Sequence, residues 1–241
     1  LDYKVDAQVQ LTLMTQLMRR VRRTSRWFLR NRRSHLAPEA EVARFAPAVQ
    51  ELTRCMPELL NGKALAEWQD SSRGFIEAGV PEALVAQVVS PGYLYSGLSV
   101  VEVAQCLDMD LLVTAQMYFD LAELLHLHEV ARQIADFRVE TYWHAQAREA
   151  ALSDLESQLR KLTMALGRFV NAETPVALVI EQWSQRHRQH LERWKLMVNE
   201  VQNNVASDFA LVSVALRELL DVVQIAQHTK TLYENGEDSG S

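Results

Sequence analysis

From Val9 to Leu29 apolar side chains recur at Leu11, Met14, Leu17, Met18, Val21, Phe28 and Leu29, with Ser25 in the same register. At about 100° per residue these positions fall on one stripe, the mark of an amphipathic helix. Arg19, Arg22, Arg23, Arg26, Arg30 and Arg33 gather on the neighbouring face. The spacing therefore predicts one long two-faced helix, about 45 Å at 1.5 Å rise per residue. "SHLAP" at 34–38 should end it, and the helical segment 1–37 is expected to pack on the rest of the chain.

Helical periodicity continues to the end. Residues 40–59 read as helix that Pro57 should bend or divide. "NG" at 61–62 stops that element, and 63–78 runs until Gly79 supplies a helix-ending residue. Pro81 suits the first position of a short helix closed by "SPG" at 90–92. Ser99 and Glu102 have capping-box spacing before "VAQCL". Helices are predicted over 110–126 and 128–136, with a break near Phe137–Val139.

Three longer patterns follow. One covers 141–169. A second opens at Thr174–Pro175 and runs to about Val201, with a stripe of Val176, Val179, Ile180, Trp183, His187, His190, Leu191, Trp194, Val198 and Val201. The third, from Asp208 to Ala226, should bury Phe209, Val212, Leu216, Leu219, Leu220 and Val223. Three long helices on short links suit an antiparallel bundle. The chain is thus expected to be all-α, a multi-helix domain with a long basic N-terminal helix and a C-terminal antiparallel helical bundle. Its parts would be 1–37, a small multi-helix subdomain over 38–137, the bundle over 138–228, and a disordered tail over 229–241 ending in "ENGEDSGS". No internal repeat and no strand pattern is present.

Composition agrees with helix. Of 241 residues only 8 are glycine and 6 proline, and 7% are aromatic. Charge is unevenly spread. Residues 1–37 carry nine bases against two acids, a net +7, so the remainder carries 16 bases against 29 acids, a net −13. A basic opening segment on an acidic body can meet that body electrostatically. Cys55 and Cys106 fit no CxxC or Cys/His spacing and read as two buried thiols. No apolar run approaches the length that crosses a bilayer, and no signal-peptide pattern is visible. Without an initiator Met, and opening inside a helical pattern, the chain reads as a piece of something longer.

Chemistry is harder to find. The glycines match neither GxGxxG nor a P-loop, so no phosphate cradle is predicted here. His126 and His128 lie two apart and diverge on a helix. His187 and His190 lie three apart and can share a face, as metal ligands sometimes do, but no third ligand is spaced with them. Both also belong to an apolar stripe with Trp183 and Trp194, which makes them core residues by default. Glu123, Glu129 and Asp136 sit at helical surface spacing. No catalytic, cofactor-binding or metal site is predicted.

The arginines remain. A nucleic-acid grip needs a basic surface that reaches phosphates, yet the chain is acidic overall and carries no recognised binding module. Arginine also pairs bidentately with carboxylates, which suits a contact between domains or subunits. Arg19, Arg22, Arg23, Arg26, Arg30 and Arg33 are the candidate contact residues, with a helical module binding nucleic acid or a regulatory ligand as the alternative.

A resemblance bears on that choice. "LDYKVDAQVQ" at 1–10, "RRTSRWFLRNRR" at 22–33, "LYSGLSVVEVA" at 94–104, "MYFDLAELLHL" at 117–127 and "YWHAQAREAALSDL" at 142–155 resemble, in order, the C-terminal helical region of the large bacterial NAD-specific glutamate dehydrogenases. The resemblance implies a parent enzyme that oxidatively deaminates L-glutamate to 2-oxoglutarate and ammonium, passing hydride to NAD. It also implies that the catalytic lysine and cofactor domain lie upstream, so no catalytic or NAD-binding residue carries over. The implied partners are that upstream domain and further copies in a cytoplasmic homo-oligomer of amino-acid catabolism, with neither nucleic acid nor membrane. The segment alone would be inactive and would serve structure or assembly.

Overall fold

Helix boundaries follow the local chemistry of the chain. The computed structural model describes residues 5–31, 36–89 and 97–232. Among them lie twelve helices and no strand: α1 (Ala7–Asn31), α2 (Pro38–Arg54), α3 (Met56–Leu59), α4 (Gly62–Glu77), α5 (Glu82–Val88), α6 (Gly97–Leu107), α7 (Leu111–Leu124), α8 (Leu127–Ala135), α9 (Tyr142–Gly167), α10 (Val176–Arg186), α11 (Arg188–Gln202) and α12 (Phe209–His228). The all-α expectation holds. Pro57 does divide its segment, falling in the first turn of α3, whereas Pro47 sits inside α2 without ending it. Gly79 ends α4 at φ +86°, with its N–H on the Ile76 carbonyl (2.9 Å) and the Val80 N–H on Phe75 (3.0 Å). That is a Schellman close, which needs the left-handed conformation glycine adopts without strain. Asp110 Oδ1 accepts from the Leu112 and Val113 amides at the head of α7. Thr141 and Asp208 cap α9 and α12 by accepting from the His144 and Ala210 amides.

The chain divides into two compact units, residues 1–115 and 116–241, with the division inside α7. The boundary near 137 expected from sequence lies within the second unit. The "SPG" stop at 90–92, Arg32, Arg33, Ser34 and His35 of "SHLAP", and the tail from 233 to 241 lie outside the described residues.

In the first unit, Leu13 of α1 is buried with Val80, Val85, Val88 and Val89, and Val5, Val9, Trp68 and Phe75 close over this cluster. Further along α1, Trp27 meets Phe28 and Phe45 edge-on, at centroid separations of 5.4 and 5.5 Å. Its Nε1–H donates to Ser99 Oγ at 3.0 Å, a buried bond. Ser99 lies inside α6 rather than ahead of it. The capping-box reading is therefore corrected: the hydroxyl serves the indole.

In the second unit, α9, α10–α11 and α12 run up, down and up. His144 at the head of α9 stacks on Phe209 at the head of α12. At the far ends the Arg168 guanidinium donates to the carbonyls of Ala226, Gln227 and Thr229, cations being favoured at helix C-termini. The Arg148 guanidinium likewise donates to Ala135 and Phe137 at the end of α8. Leu155, Leu159, Leu162, Leu166, Val179, Trp183, Val198, Leu219 and Val223 make the core. Trp194 donates from Nε1 to the Leu125 carbonyl at 2.8 Å, pinning α11 against the turn before α8.

The helix predicted from 175 to 201 is interrupted. His187 leaves helical geometry (φ −107°, ψ 24°) between α10 and α11. Its ring lies 5.9 Å from that of Trp183 and 6.3 Å from that of His190. Burial, and then the positive neighbours Arg186 and His190, push its pKa below the ordinary histidine value.

Two outcomes follow from this packing. Ser99→Ala leaves the Trp27 N–H unpaired in the core and should cost about 1–3 kcal/mol, seen as a lower urea midpoint, with Ser99→Thr much milder. His187 has the sign of a base kept neutral by folding, so the unfolded chain binds the extra proton first. Stability should be full above about 6.5, the unpaired value, and fall as pH drops below it. His187→Gln should flatten that slope in denaturation curves taken between pH 7.5 and 5.

Candidate functional site

The surface of α1 is where structure departs most from the simple two-faced reading. The apolar stripe is not the side that packs. Leu11, Met14, Leu17, Met18 and Val21 are between 47% and 67% exposed, and Leu29 is 87% exposed. The buried residues are Leu13 and Trp27, with Val9, Gln16, Arg20, Arg23, Arg26, Phe28 and Asn31 half-buried. Positions 13, 20 and 27 lie roughly opposite positions 11, 18 and 25 on a 3.6-residue helix. Hence α1 has three faces: one packed on its own unit, one apolar and uncovered, and a basic strip between them.

The predicted contact residues occupy that strip unequally. Arg19, Arg22 and Arg30 are exposed, Arg23 and Arg26 are half-buried toward the packed side, and Arg33 lies outside the described residues. Arg22 is nearest the apolar stripe on the helical wheel. No acidic residue occurs anywhere in α1. The strip is thus a cationic margin along an apolar ridge, a combination that suits a protein surface with apolar centre and carboxylate rim.

The other sequence candidates assemble no chemistry. His126 adopts a left-handed backbone (φ 51°) and its Nδ1 lies 3.4 Å from Glu129 Oε1, while His128 is buried in α8. His187 and His190 come together without a third ligand, and no group of three or more His, Cys, Asp or Glu suited to a metal occurs among the described residues. Cys55 is a buried thiol as expected, but Cys106 is exposed, since the last turn of α6 presents it outward. Sequence reading also missed the exposed pair Tyr142–Trp143, packed edge-on to each other at 5.3 Å. Nothing in the periodicity of 141–169 marks two adjacent aromatics at a helix start as exposed.

Comparison with known proteins places the chain. The family model described as glutamate dehydrogenase, C-terminal, matches residues 1–221. The NAD-specific glutamate dehydrogenase of Pseudomonas aeruginosa is 37% identical over 228 residues, which cover 95% of this chain and 14% of that protein. Its Halomonas elongata counterpart is 30% identical over 224 residues, 93% of this chain and 14% of its own length. For the Mycobacterium tuberculosis protein of the same name the match is 30% over 210 residues, covering 87% of this chain and 13% of that protein. This chain therefore spans only about one seventh of the length of the relatives it matches. A match over more than nine tenths of the sequence leaves one conclusion: the chain belongs to the glutamate dehydrogenase C-terminal family.

Proposed function

We propose that this chain is the C-terminal helical segment of an NAD-dependent glutamate dehydrogenase, and that its own task is structural. The parent reaction is L-glutamate, NAD and water to 2-oxoglutarate, ammonium and NADH, in cytoplasmic amino-acid catabolism by a homo-oligomer. The observation that carries this reading is the ordered match over nearly the whole chain to enzymes named for that activity, of which it covers a seventh.

The described residues do not fit NAD in the way dinucleotide domains hold it. That seat needs a strand, a glycine-rich turn and a helix N-terminus against the pyrophosphate, and they contain no strand. In this reading the chemistry belongs to the parent polypeptide beyond this chain. What this segment offers instead is a folded body carrying a basic strip, and Arg19, Arg22, Arg23, Arg26, Arg30 and Arg33 are read as its contact with the catalytic part or with a neighbouring subunit. An apolar ridge beside the arginines favours protein over nucleic acid, because phosphate backbones give such a ridge nothing to bury against.

The test is charge reversal in the intact enzyme. Arg19→Glu with Arg22→Glu and Arg30→Glu should shift the assembled species to smaller size in light scattering. Glutamate-dependent NADH formation should fall at least about tenfold, which is about 1.4 kcal/mol in a coupling free energy. The corresponding lysine variants should keep most assembly, and the isolated segment should form no NADH. An unaltered assembly with reversed charges, or turnover by the segment alone, would overturn the reading.

A further inference from the structure

We infer that the uncovered ridge of α1 is one half of a helix–helix seam, and that its other half is an amphipathic helix with a single acidic edge. That helix belongs to the part of the parent polypeptide outside this chain. The inference rests on the reading of the chain as a segment of a larger dehydrogenase and names the surface that segment meets.

Leu11, Met14, Met18 and Val21 follow the 3-4-3 spacing of a and d positions in a heptad, and Ser25 extends it before Phe28 turns in to Trp27 and Phe45. This is the pattern a helix presents to another helix rather than to a flat sheet or to water. Apolar side chains scattered singly over a surface are ordinary, but Leu11, Met14, Leu17, Met18 and Val21 form one ridge over three turns, each about half exposed or more. The ridge is not spare material from the unit's own packing, since α1 is already anchored by Leu13 and Trp27 on its far side.

Charge selects the occupant. Residues 7–31 hold six arginines and no acid. A second copy of α1 on the same seam would set two such margins against each other, and like charges flanking a seam disfavour that pairing. The partner must bring carboxylates. Its acids also have a fixed place. On one edge of the ridge α1 carries uncharged Gln8, Thr12 and Thr15 over the first half, then Arg19 and Arg22 over the second, while the opposite edge carries Gln10, Leu17 and Thr24. Carboxylates are therefore called for on one edge only, beside Met18 and Val21, which sets register and direction together. The supply of such a helix is ample, because the relatives hold about six times as much chain beyond the matched region as within it.

The test uses the intact parent enzyme with a benzophenone amino acid in place of Met18, irradiated and mapped by mass spectrometry. The expected product joins Met18's position to one peptide outside residues 1–241, bearing two or more Asp or Glu three or four residues apart. Products confined to residues 1–241, to an unrelated protein, or no protein product would overturn the seam. A second variant, Met14→Asp with Met18→Asp, removes the ridge without touching the core of α1's unit. It should speed amide exchange over residues 11–21 by about tenfold or more, with exchange in α9 and α12 unchanged as the check on folding. Unchanged exchange over 11–21 would also overturn the seam. Failure here and failure of the structural role are separable: charge reversal that dissolves the assembly, together with no Met18 product, removes the seam and leaves the role.

Discussion

Trp27 sets the rotation of α1 about its own axis, and the surface chemistry of the segment depends on that rotation. The indole is gripped in two ways that leave little angular freedom. Phe28 and Phe45 meet it edge-on, the preferred geometry for aromatic rings, and its N–H is spent on Ser99 Oγ. A hydrophobic contact alone would tolerate rolling by a residue's width. A buried N–H with one acceptor does not, because rolling would orphan it at a cost of about 1–3 kcal/mol. With Trp27 held inward and Leu13 held two heptads earlier, the ridge of Leu11, Met14, Met18 and Val21 has to face out.

The second unit uses polar groups in the same way, as fixed points on an otherwise non-directional core. Leucine and valine layers between α9, α11 and α12 supply the stabilising area but do not choose an axial offset. Arg168 bonded to three carbonyls at the end of α12, Arg148 bonded to two at the end of α8, and Trp194 bonded to Leu125 each choose one. All join a side chain on one helix to backbone near the end of another, where carbonyls lack intrahelical partners. Helix ends thus become the places where register is read. Not every polar group is fixed in this way: His187 Nε2, at the junction of α10 and α11, and Trp183 Nε1 are buried without a hydrogen-bond partner among the described residues, as are His144 Nδ1, Gln158 Oε1 and Gln182 Oε1.

Periodicity in the sequence was enough for the helices, their order and most of the bundle core, because one apolar stripe per helix maps onto one buried face. Val176, Val179, Trp183, Trp194, Val198 and Val201 all land inside as their spacing predicts. The same rule misreads α1. Its more regular stripe is the uncovered one, and its buried face is carried by two residues two heptads apart, Leu13 and Trp27, among largely polar neighbours. Hydrophobic spacing reports which faces avoid water, not what covers them, so a helix with two apolar faces reads as a helix with one. Ser99 was misplaced for a related reason: a hydroxyl three residues before a glutamate looks like a cap until a tryptophan 72 residues earlier claims it. The break at His187 contains neither proline nor glycine, and nothing local announces it.

In the proposed seam the arginines resolve a conflict that the uncovered ridge creates. Five large apolar side chains on three turns invite association with any apolar surface, including that of a sister chain. Adjacent guanidinium groups discourage the commonest wrong partner, another copy of the same helix, while adding attraction only where carboxylates stand ready. Specificity of that kind is a difference between two affinities, obtained as much by penalising one partner as by rewarding the other. Lysine would supply the repulsion equally well. What arginine adds is a planar fork that fits a carboxylate at two points, so that Arg19 and Arg22 can discriminate among acidic surfaces by geometry and not by charge alone. A basic strip on a net acidic protein is then the expected result of placing a sticky ridge where it must find one surface and refuse its own kind.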